Sequence, residues 1–261
     1  MEAILAGLFG LLIGSFLNVC IFRMPLDLSV VSPRSYCPSC EGTIGWYDNI
    51  PVLSFLLLRG RCRKCNTRIS IRYPIVELST GAAFFLAAMR FGPTFAAAKL
   101  CVFSAICIAL IFTDIEERIL PDEFTKGGIA VGVLLAFVVL LPAGFTSLLI
   151  PATWGARINS VAEAAFGAFF TAGTLWFVGF VYSKVRNREG LGFGDVKMVA
   201  MIGSFLGLMP TLFSLMAGSV LGAVAGLLYI WIRRKDAATY ELPFGSFLGA
   251  AALLVAFLEH P

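Results

Sequence analysis

Two aspartates stand at the ends of long apolar segments, where they could do chemistry together. Asp114 ends the apolar run Ala-Leu-Ile-Phe-Thr, and Asp195 follows Gly192, Phe193 and Gly194. Two close carboxylates do not both ionise readily, so such a pair shares one proton and offers one base and one acid. It can hydrolyse a peptide by activating water, without a covalent intermediate. The glycines before Asp195, which also include Gly190, are expected to let a substrate strand come close to the backbone, and they allow unusual φ and ψ angles.

Each aspartate alone also has a structural interpretation, because a helix-end carboxylate can simply face solvent. Asp122 is a rival to Asp114, but it follows Pro121 and precedes an apolar segment, which is typical of an N-cap. Lys197 could pair with Asp195 and favour its ionised form, or extend its ammonium group to lipid headgroups. Other nearby acids have the pattern of solvated loop charges: Glu116, Glu117 and Glu123.

A further carboxylate, Glu77, is predicted to lie about one turn inside an apolar segment. An ionised side chain at that depth requires a partner, and we expect Arg72 to supply it. Glu77 is therefore included in the group of residues predicted to support a site at the cytoplasmic face, which consists of Gly192, Gly194, Lys197 and Glu77.

Four cysteines in the one sizeable polar insert, residues 23–73, have the spacing of a zinc site. Cys37 and Cys40 form one Cys-x-x-Cys pair, and Cys62 and Cys65 form a second pair after 21 intervening residues. Four thiolates are the complete ligand set of a closed Zn²⁺ site, which leaves no open position for water or substrate. We therefore expect a structural metal that folds the insert. Disulfides are the alternative, which a reducing cytosol disfavours.

The numbers and positions of the histidine, the basic residues and the other cysteines exclude several classes of functional site. The single histidine is the penultimate residue, His260, so Ser-His-Asp triads and HExxH zinc sites are excluded. Lys and Arg exceed Asp and Glu by 4 and are spread over connecting segments, which indicates membrane orientation and no nucleic-acid partner. The cysteines outside the insert are expected to behave as small hydrophobic residues: Cys20, Cys101 and Cys107.

The elements that must position these residues are membrane helices. The chain is 59% hydrophobic and 14% charged, whereas soluble domains are about 45–50% apolar, and its mean hydropathy is +0.88. A bilayer core requires about 20 apolar residues per helix. Eight segments meet this requirement: 3–22, 74–90, 95–113, 127–143, 163–183, 196–210, 212–232 and 243–258. The predicted fold is an all-α polytopic membrane protein of about eight transmembrane helices, with a small cytoplasmic zinc-binding loop domain between the first two.

The distribution of basic residues predicts the orientation of these helices. With both termini outside, 17 of the 20 Lys and Arg residues face the cytoplasm, as the positive-inside bias requires. Merging the sixth and seventh segments would place residues 233–235 outside, so we expect two helices with a turn near residues 209–211. The same orientation places both aspartates and the cysteine insert on the cytoplasmic side. The first segment lacks a basic n-region and a cleavage site, so we expect a retained helix.

Two further patterns accompany the predicted helices. Glycines at four-residue spacing predict close helix packing: Gly10 and Gly14, Gly128 and Gly132, Gly203 and Gly207, and Gly218, Gly222 and Gly226. Basic residues around the cysteines are expected to enforce topology, with contact to anionic headgroups as a secondary effect: Arg59, Arg61, Arg63, Lys64, Arg68 and Arg72.

Taken together, the motifs resemble those of the bacterial type IV prepilin peptidases, also called prepilin leader peptidase/N-methyltransferases, a GxGD family of aspartyl intramembrane proteases. In the first part of the chain they are Gly-Ser-Phe-Leu-Asn-Val at 14–19, Arg-Met-Pro at 23–25, both cysteine pairs and Asp-Asn-Ile-Pro-Val-Leu-Ser at 48–54. They continue with Arg-Gly-Arg-Cys-Arg-Lys-Cys at 59–65, Arg-Tyr-Pro-Ile-Val-Glu at 72–77, Asp114 with Leu-Pro-Asp at 120–122, and Gly-Phe-Gly-Asp-Val-Lys at 192–197. The resemblance runs nearly end to end.

The resemblance implies a two-step modification of prepilins or of the pilin-like subunits of type II secretion. A short basic leader is cut off after a glycine at the cytoplasmic face, and the new N-terminal residue is N-methylated with S-adenosyl-L-methionine. Asp114 and Asp195 are the implied catalytic pair. The cysteine insert indicates the bifunctional branch, because relatives that only cleave tend to lack it. The methyl donor's pocket is not placed, because no Rossmann-type glycine fingerprint is present.

The sequence thus predicts three parts: a first transmembrane helix at 1–22, a cytoplasmic Cys₄ zinc domain at 23–73 and a seven-helix peptidase domain at 74–261. The expected partners are prepilins or pseudopilins and membrane lipid, in the bacterial inner membrane. Two other classes compete on the residues alone. A non-enzymatic assembly factor would use the aspartates only as helix caps. A transporter would require carboxylates near mid-membrane, often with inverted repeats, and neither is evident from the sequence.

Overall fold

The computed structural model describes residues 1–142, 144–186, 192–233 and 242–258, apart from the side chains of Ala152 and Arg233. Three basic residues used to predict the orientation, Arg188, Arg234 and Lys235, lie outside these ranges. In the described parts of the chain, β-structure is limited to two isolated antiparallel bridges, Tyr36 with Thr43 and Arg61 with Arg68, both in the cysteine insert. The rest of the regular structure is helical.

The helices follow the predicted segments closely. They are α1 (Glu2–Arg23), α2 (Leu53–Leu57), α3 (Arg72–Phe91), α4 (Phe95–Glu117), α5 (Asp122–Val138), α6 (Ala156–Arg186), α7 (Phe193–Leu206), α8 (Leu208–Arg233) and α9 (Phe244–Leu258). Each of the eight predicted segments corresponds to one of these helices, and the short α2 lies in the cysteine insert.

Within the described ranges, five helices are long and apolar enough to cross a membrane: α1 with the turn that follows it, α3, α4, α6 and α8. The others, α5, α7 and α9, have 17, 14 and 15 residues. At about 1.5 Å per residue, a helix of this length spans roughly 21–26 Å, less than the ~30 Å hydrocarbon core. The prediction of an all-helical, multi-pass membrane protein is confirmed, and a full crossing by these three helices stays a prediction.

The sixth and seventh predicted segments are separate helices, but the chain turns earlier than expected. Gly207, between α7 and α8, has a φ of +81°, in the left-handed region that glycine adopts readily. Pro210 lies in the first turn of α8, where its missing N–H removes no helical hydrogen bond. The predicted turn at residues 209–211 is therefore wrong, because these residues begin α8.

The chain divides into two compact units, Met1–Phe112 and Thr113–Pro261. In the first unit, α1 packs along α3 so closely that side chains would not fit between them. A Cβ on Gly10 would lie 2.8 Å from the carbonyl oxygen of Thr80, and one on Gly14 would lie 2.7 Å from the Cα of Glu77. The predicted packing role of these two glycines is confirmed.

Glycines have the same role in the second unit. A Cβ on Gly203 of α7 would lie 2.5 Å from the carbonyl oxygen of Gly167 on α6, so these helices touch through their backbones. A Cβ on Gly218 of α8 would lie 2.9 Å from the Cα of Leu248 on α9. Close backbone contact of this kind is how helices associate where lipid offers no hydrophobic contrast.

Glu163 on α6 is a buried carboxylate that was not predicted from the sequence to have a role. It is 4% exposed and accepts hydrogen bonds from the N–H and the hydroxyl of Thr146 at 3.0 and 2.7 Å. Its other oxygen accepts a hydrogen bond from the N–H of Leu208 at 3.3 Å, at the start of α8. The first N–H groups of a helix lack helical partners and favour negative charge. Glu163 therefore ties α6 to the loop after α5 and to the start of α8.

Candidate active site

Asp114 lies in the last turn of α4, and its side chain is buried, with 6% exposed. Its Oδ2 atom accepts hydrogen bonds from the N–H and from the hydroxyl of Ser246, both at 2.7 Å. Ser246 is the third residue of α9, so the carboxylate lies against the positive end of that helix. A buried carboxylate is costly unless its oxygens are hydrogen-bonded. The first turn of α9 supplies the partners that Asp114 needs.

Asp195 lies in the first turn of α7 and is half-buried. Its carboxylate is close enough to Asp114 for the two negative charges to repel each other. Among the residues that the structure describes, none donates a hydrogen bond to the Asp195 carboxylate. The structure thus brings the two predicted aspartates together but gives them different surroundings.

Leu120 packs between the starts of α7 and α9, which carry Asp195 and Ser246, and it is 8% exposed. A Cβ on Gly194 would lie 3.3 Å from the Leu120 side chain. A Cβ on Gly245 would lie 3.2 Å both from Leu120 and from Oδ2 of Asp114. These two glycines therefore leave room for Leu120, which holds the starts of α7 and α9 beside the end of α4.

The two described glycines before Asp195, Gly192 and Gly194, have ordinary φ and ψ angles. Gly192 has φ −69° and ψ 135°, an extended conformation that any residue can adopt. Gly194 is helical, and neither glycine lies in the left-handed region. Neither glycine therefore uses the unusual φ and ψ angles that glycine allows, and Gly190 lies outside the described residues. The expected approach of a substrate strand stays a prediction.

Lys197 contacts Asp122 and not Asp195. Its Nζ atom pairs with Oδ1 of Asp122, whose Oδ2 lies 2.6 Å from Nζ of Lys126. Residues two apart on a helix do not face each other, which is why Lys197 turns away from Asp195. Of the two alternatives for Lys197, the pairing with Asp195 is not the one that the structure has. Lys197 instead joins the start of α7 to the start of α5.

Asp122 is the first residue of α5, and the N-cap position belongs to Pro121. No side-chain capping bond forms there, so the prediction that Asp122 caps the helix is also wrong. Its side chain is 47% exposed and lies between two lysines. Asp122 is therefore part of an exposed ion-pair group and is distinct in its surroundings from Asp114.

Glu77 on α3 belongs to the first unit and is 8% exposed. Its Oε2 atom accepts a hydrogen bond from the N–H of Val52 at 2.7 Å, and its carboxylate also bonds to the side chain of Ser15. Val52 has a φ of +60°, which β-branched residues rarely adopt, so Glu77 holds a strained loop residue of the insert. The Arg72 guanidinium lies 4.7 Å from the centre of the Tyr73 ring. The predicted pairing of Arg72 with Glu77 stays a prediction.

The four predicted cysteines converge in the insert. Their sulfur atoms all lie within 4.8 Å of one another, and the sulfurs of Cys37 and Cys65 are 3.8 Å apart. Four sulfurs at about 2.3 Å from a tetrahedral Zn²⁺ ion are separated by about 3.8 Å, whereas a disulfide requires about 2.05 Å. All four are free cysteines. The spacing therefore favours one shared metal ion over disulfides.

The two Cys-x-x-Cys segments have the same backbone structure. The N–H of Cys37 donates to the carbonyl of Gly42 at 3.0 Å, and the N–H of Cys62 donates to the carbonyl of Thr67 at 2.9 Å. The residue that follows each pair has a positive φ: Glu41 at 53° and Asn66 at 61°. Hydrogen bonds from the side chain and backbone of Thr67 lower the pKa of Cys65 to about 6. This favours the thiolate, the form that binds metal.

Arg63, inside the second cysteine pair, holds a neighbouring segment of the insert. Its Nε atom lies 3.0 and 2.9 Å from the two carboxylate oxygens of Asp48, and its Nη2 atom lies 2.6 Å from Oδ1. The Asp48 side chain is 12% exposed. One of the basic residues predicted to enforce topology thus has a defined contact, which attaches the 46–49 turn to the second cysteine pair.

A cavity of about 410 Å³ lies in the first unit between α1 and the insert. Sites for small ligands in proteins usually have about 300–1,000 Å³. Its apolar lining includes Phe16, Val19 and Trp46, and its polar lining includes Ser15, Arg34 and Asn49. This combination suits a ligand with a flat apolar part and charged or hydroxyl groups.

Comparison with known proteins covers most of the chain. The model of the bacterial peptidase A24 N-terminal domain matches residues 8–91, and that of the type IV leader peptidase family matches residues 101–227. A protein of Myxococcus xanthus named prepilin leader peptidase/N-methyltransferase is 42% identical over 85% of this chain, but the match spans only 61% of that relative.

Two further relatives match over nearly their whole length. The type 4 prepilin-like proteins leader peptide-processing enzyme of Escherichia coli is 36% identical over 98% of this chain and 94% of that protein. A prepilin leader peptidase/N-methyltransferase of Pseudomonas putida is 31% identical over 95% of this chain and 87% of that protein. No solved structure matches the chain. The resemblance drawn from the motifs is confirmed, and the chain belongs to the type IV leader peptidase family.

Proposed function

We propose that this chain cleaves the leader from type IV prepilins and pilin-like type II secretion subunits, and then N-methylates the new N-terminal residue. The names of its relatives support both steps, since they are prepilin leader peptidase/N-methyltransferases. The observation that carries the proposal is the meeting of Asp114 and Asp195 at helix ends beside the start of α9. A helix-capping role, as in a non-enzymatic assembly factor, would not require the two acids to lie at one site.

In the proposed cleavage, the two aspartates act on one water molecule. One carboxylate takes a proton from the water as its oxygen attacks the scissile carbonyl, and the other acid gives a proton to the developing oxyanion. The first then returns its proton to the leaving amine as the tetrahedral intermediate collapses, and the second recovers its own. Gly194 supports the pair by making room for Leu120, and Lys197 supports it by fixing the starts of α5 and α7 together.

We place the enzyme in the bacterial inner membrane with both termini outside and the aspartates at the cytoplasmic face. The basic leader of the substrate stays in the cytoplasm and its apolar helix enters the bilayer, so the scissile bond lies at the level of the aspartates. The proposed division of the chain is a first transmembrane helix at 1–22, a zinc domain at 23–73 and a peptidase domain at 74–261.

The proposed metal is a structural Zn²⁺ ion held by Cys37, Cys40, Cys62 and Cys65. The sulfur separations support it, since they suit four thiolates around one ion. Four protein ligands leave no position for water, so this ion takes no part in either reaction. Its role is to fold the insert, which is too small to build a core of its own.

The proposed methyl donor is S-adenosyl-L-methionine, and the cavity of the first unit fits its chemistry. The Trp46 ring can stack on the adenine base, and Arg34 can pair with the donor's carboxylate. Ser15 and Asn49 offer hydrogen bonds to hydroxyl groups. When bound, the donor supplies the methyl group for the substrate's amino group.

The direct test is to incubate the purified protein with a prepilin whose leader ends in glycine and to read the product by mass spectrometry. We expect the cut product with or without S-adenosyl-L-methionine, and the mass gain of one methyl group only when the donor is present. Intact substrate would contradict the peptidase assignment. A cut but unmethylated product in the presence of the donor would contradict the methyltransferase assignment alone.

The cavity assignment predicts that Trp46→Ala weakens binding of S-adenosyl-L-methionine by roughly tenfold to hundredfold, because stacking on an aromatic ring contributes about 1–3 kcal/mol per base. Equilibrium dialysis with labelled donor measures this without turnover, and leader cleavage should stay at the wild-type rate. The matched control is Trp154→Ala, which removes an exposed tryptophan of the second unit. Wild-type donor affinity in Trp46→Ala would exclude this cavity.

A further inference from the structure

We propose that Ser246 is a positioning residue of the peptidase, which together with the first turn of α9 holds Asp114 in its ionised form, so that Asp195 carries the shared proton. This assignment rests on the proposed function and deepens it, because it states which aspartate is the base and which is the acid before water attacks.

The surroundings of Asp114 stabilise negative charge. The N–H and the hydroxyl of Ser246 both donate to Oδ2 of Asp114 at 2.7 Å. A proton on Oδ2 that pointed toward Ser246 would prevent both hydrogen bonds. Hydrogen bonds to the charged form of a carboxyl group favour that form, and the start of a helix adds a positive partial charge. Gly245 leaves the space in which Oδ2 lies, since a Cβ there would come within 3.2 Å of it. Oδ1 is left to accept a proton from water.

The surroundings of Asp195 favour its neutral form. It is half-buried and faces the negative charge of Asp114. In the ranges that the structure describes, no group donates a hydrogen bond to its carboxylate. The lysine nearest in sequence, Lys197, is bound to Asp122. A carboxyl group without donors and beside a like charge holds the proton that the pair shares.

This difference sets the direction of the proton transfers. Asp114 takes a proton from water through Oδ1 while the water oxygen bonds to the scissile carbon, and Asp195 gives its proton to the carbonyl oxygen. When the carbon–nitrogen bond breaks, Asp114 gives its proton to the leaving nitrogen and Asp195 takes one back from the hydroxyl group. Both aspartates then have their starting protonation states, so one water is consumed and no other reactant is required.

The test is steady-state leader cleavage by the full-length enzyme with Ser246→Ala, Ser246→Gly and Ser246→Thr. We expect the two variants without a hydroxyl to lower kcat by about tenfold to hundredfold, as expected for one hydrogen bond to a charged group, with KM unchanged. Ser246→Thr should restore kcat, because it returns the donor. Methylation of a pilin supplied without its leader should proceed at the wild-type rate in all three variants.

The matched control is Ser204→Ala, which removes a buried serine of α7 whose hydroxyl donates only to the carbonyl of Met201. It should keep the wild-type kcat. Wild-type kcat in Ser246→Ala and Ser246→Gly, a rise in KM alone, or no rescue by Ser246→Thr would overturn the positioning role. Failure of the unmodified enzyme to cut any prepilin would instead overturn the proposed function, so the two failures are distinguishable.

Discussion

Replacing Asp195 or Asp114 with asparagine abolishes leader cleavage and leaves the protein folded. Asparagine has nearly the same shape but cannot take or give the proton that hydrolysis requires, so we expect a loss of about 10²–10⁴-fold for each variant. The measurement is the initial rate of prepilin cleavage at saturating substrate, together with thermal unfolding in detergent. Zinc content and binding of S-adenosyl-L-methionine should not change.

Asp122→Asn is the matched control for this prediction. Asp122 lies two residues after Leu120 and has an exposed carboxylate paired with two lysines. Exposed ion pairs contribute about 0–1 kcal/mol, so loosening the link between the starts of α5 and α7 should lower cleavage by no more than about fivefold. Cleavage by Asp114→Asn or Asp195→Asn at the rate of Asp122→Asn would remove the protease assignment. It would leave the aspartates with a structural role only.

Cys62→Ser should release the metal and unfold the insert. A serine hydroxyl is not a thiolate, so the site loses one of four ligands, and structural zinc sites contribute about 10–16 kcal/mol of apparent binding free energy. We expect the zinc content to fall from one ion per chain to almost none, measured by plasma mass spectrometry. Limited proteolysis should then cut within residues 23–73, which the folded insert resists.

Cys101→Ser is the control, because Cys101 lies on α4 outside the cysteine cluster. It should keep its zinc and its resistance to protease. Retention of zinc by Cys62→Ser would refute the Cys₄ assignment. Because residues of the insert also line the cavity of the first unit, Cys62→Ser should in addition lose affinity for S-adenosyl-L-methionine.

Hydropathy and length were sufficient to predict where the helices lie, since long apolar segments can satisfy their backbones in a bilayer only by forming helices. They were not sufficient to place the turn between α7 and α8. Proline suggested a break at residue 210, but the first turn of a helix accepts it, and Gly207 forms the turn because it tolerates a positive φ. The position of a break in a long apolar segment thus depends on which residue can adopt the backbone angles of the turn, and hydropathy contains no information on those angles.

The pairing of Asp114 with Asp195 was predictable because the charge distribution placed both at the same membrane face. Their partners were not predictable. Ser246 lies 132 residues from Asp114, and its N–H donates to Asp114 because α9 begins there, which no side-chain motif indicates. For Lys197, pairing with Asp195 was one of two open alternatives, and helical geometry disfavours it because residues two apart turn to different sides.

The hydrogen bonds of Glu163 affect the order in which the helices of the second unit can pack during synthesis. Both oxygens of its carboxylate accept hydrogen bonds, and the donor to Oε1 is the N–H of Leu208. Leu208 is added to the chain 45 residues after Glu163. Until α8 forms, the Glu163 carboxylate on α6 lacks one of its hydrogen-bond donors. The hydrogen bonds of Glu163 are therefore complete only when the start of α8 packs against α6. Premature termination before residue 208 should leave a nascent chain that quality control removes, however complete its earlier helices are.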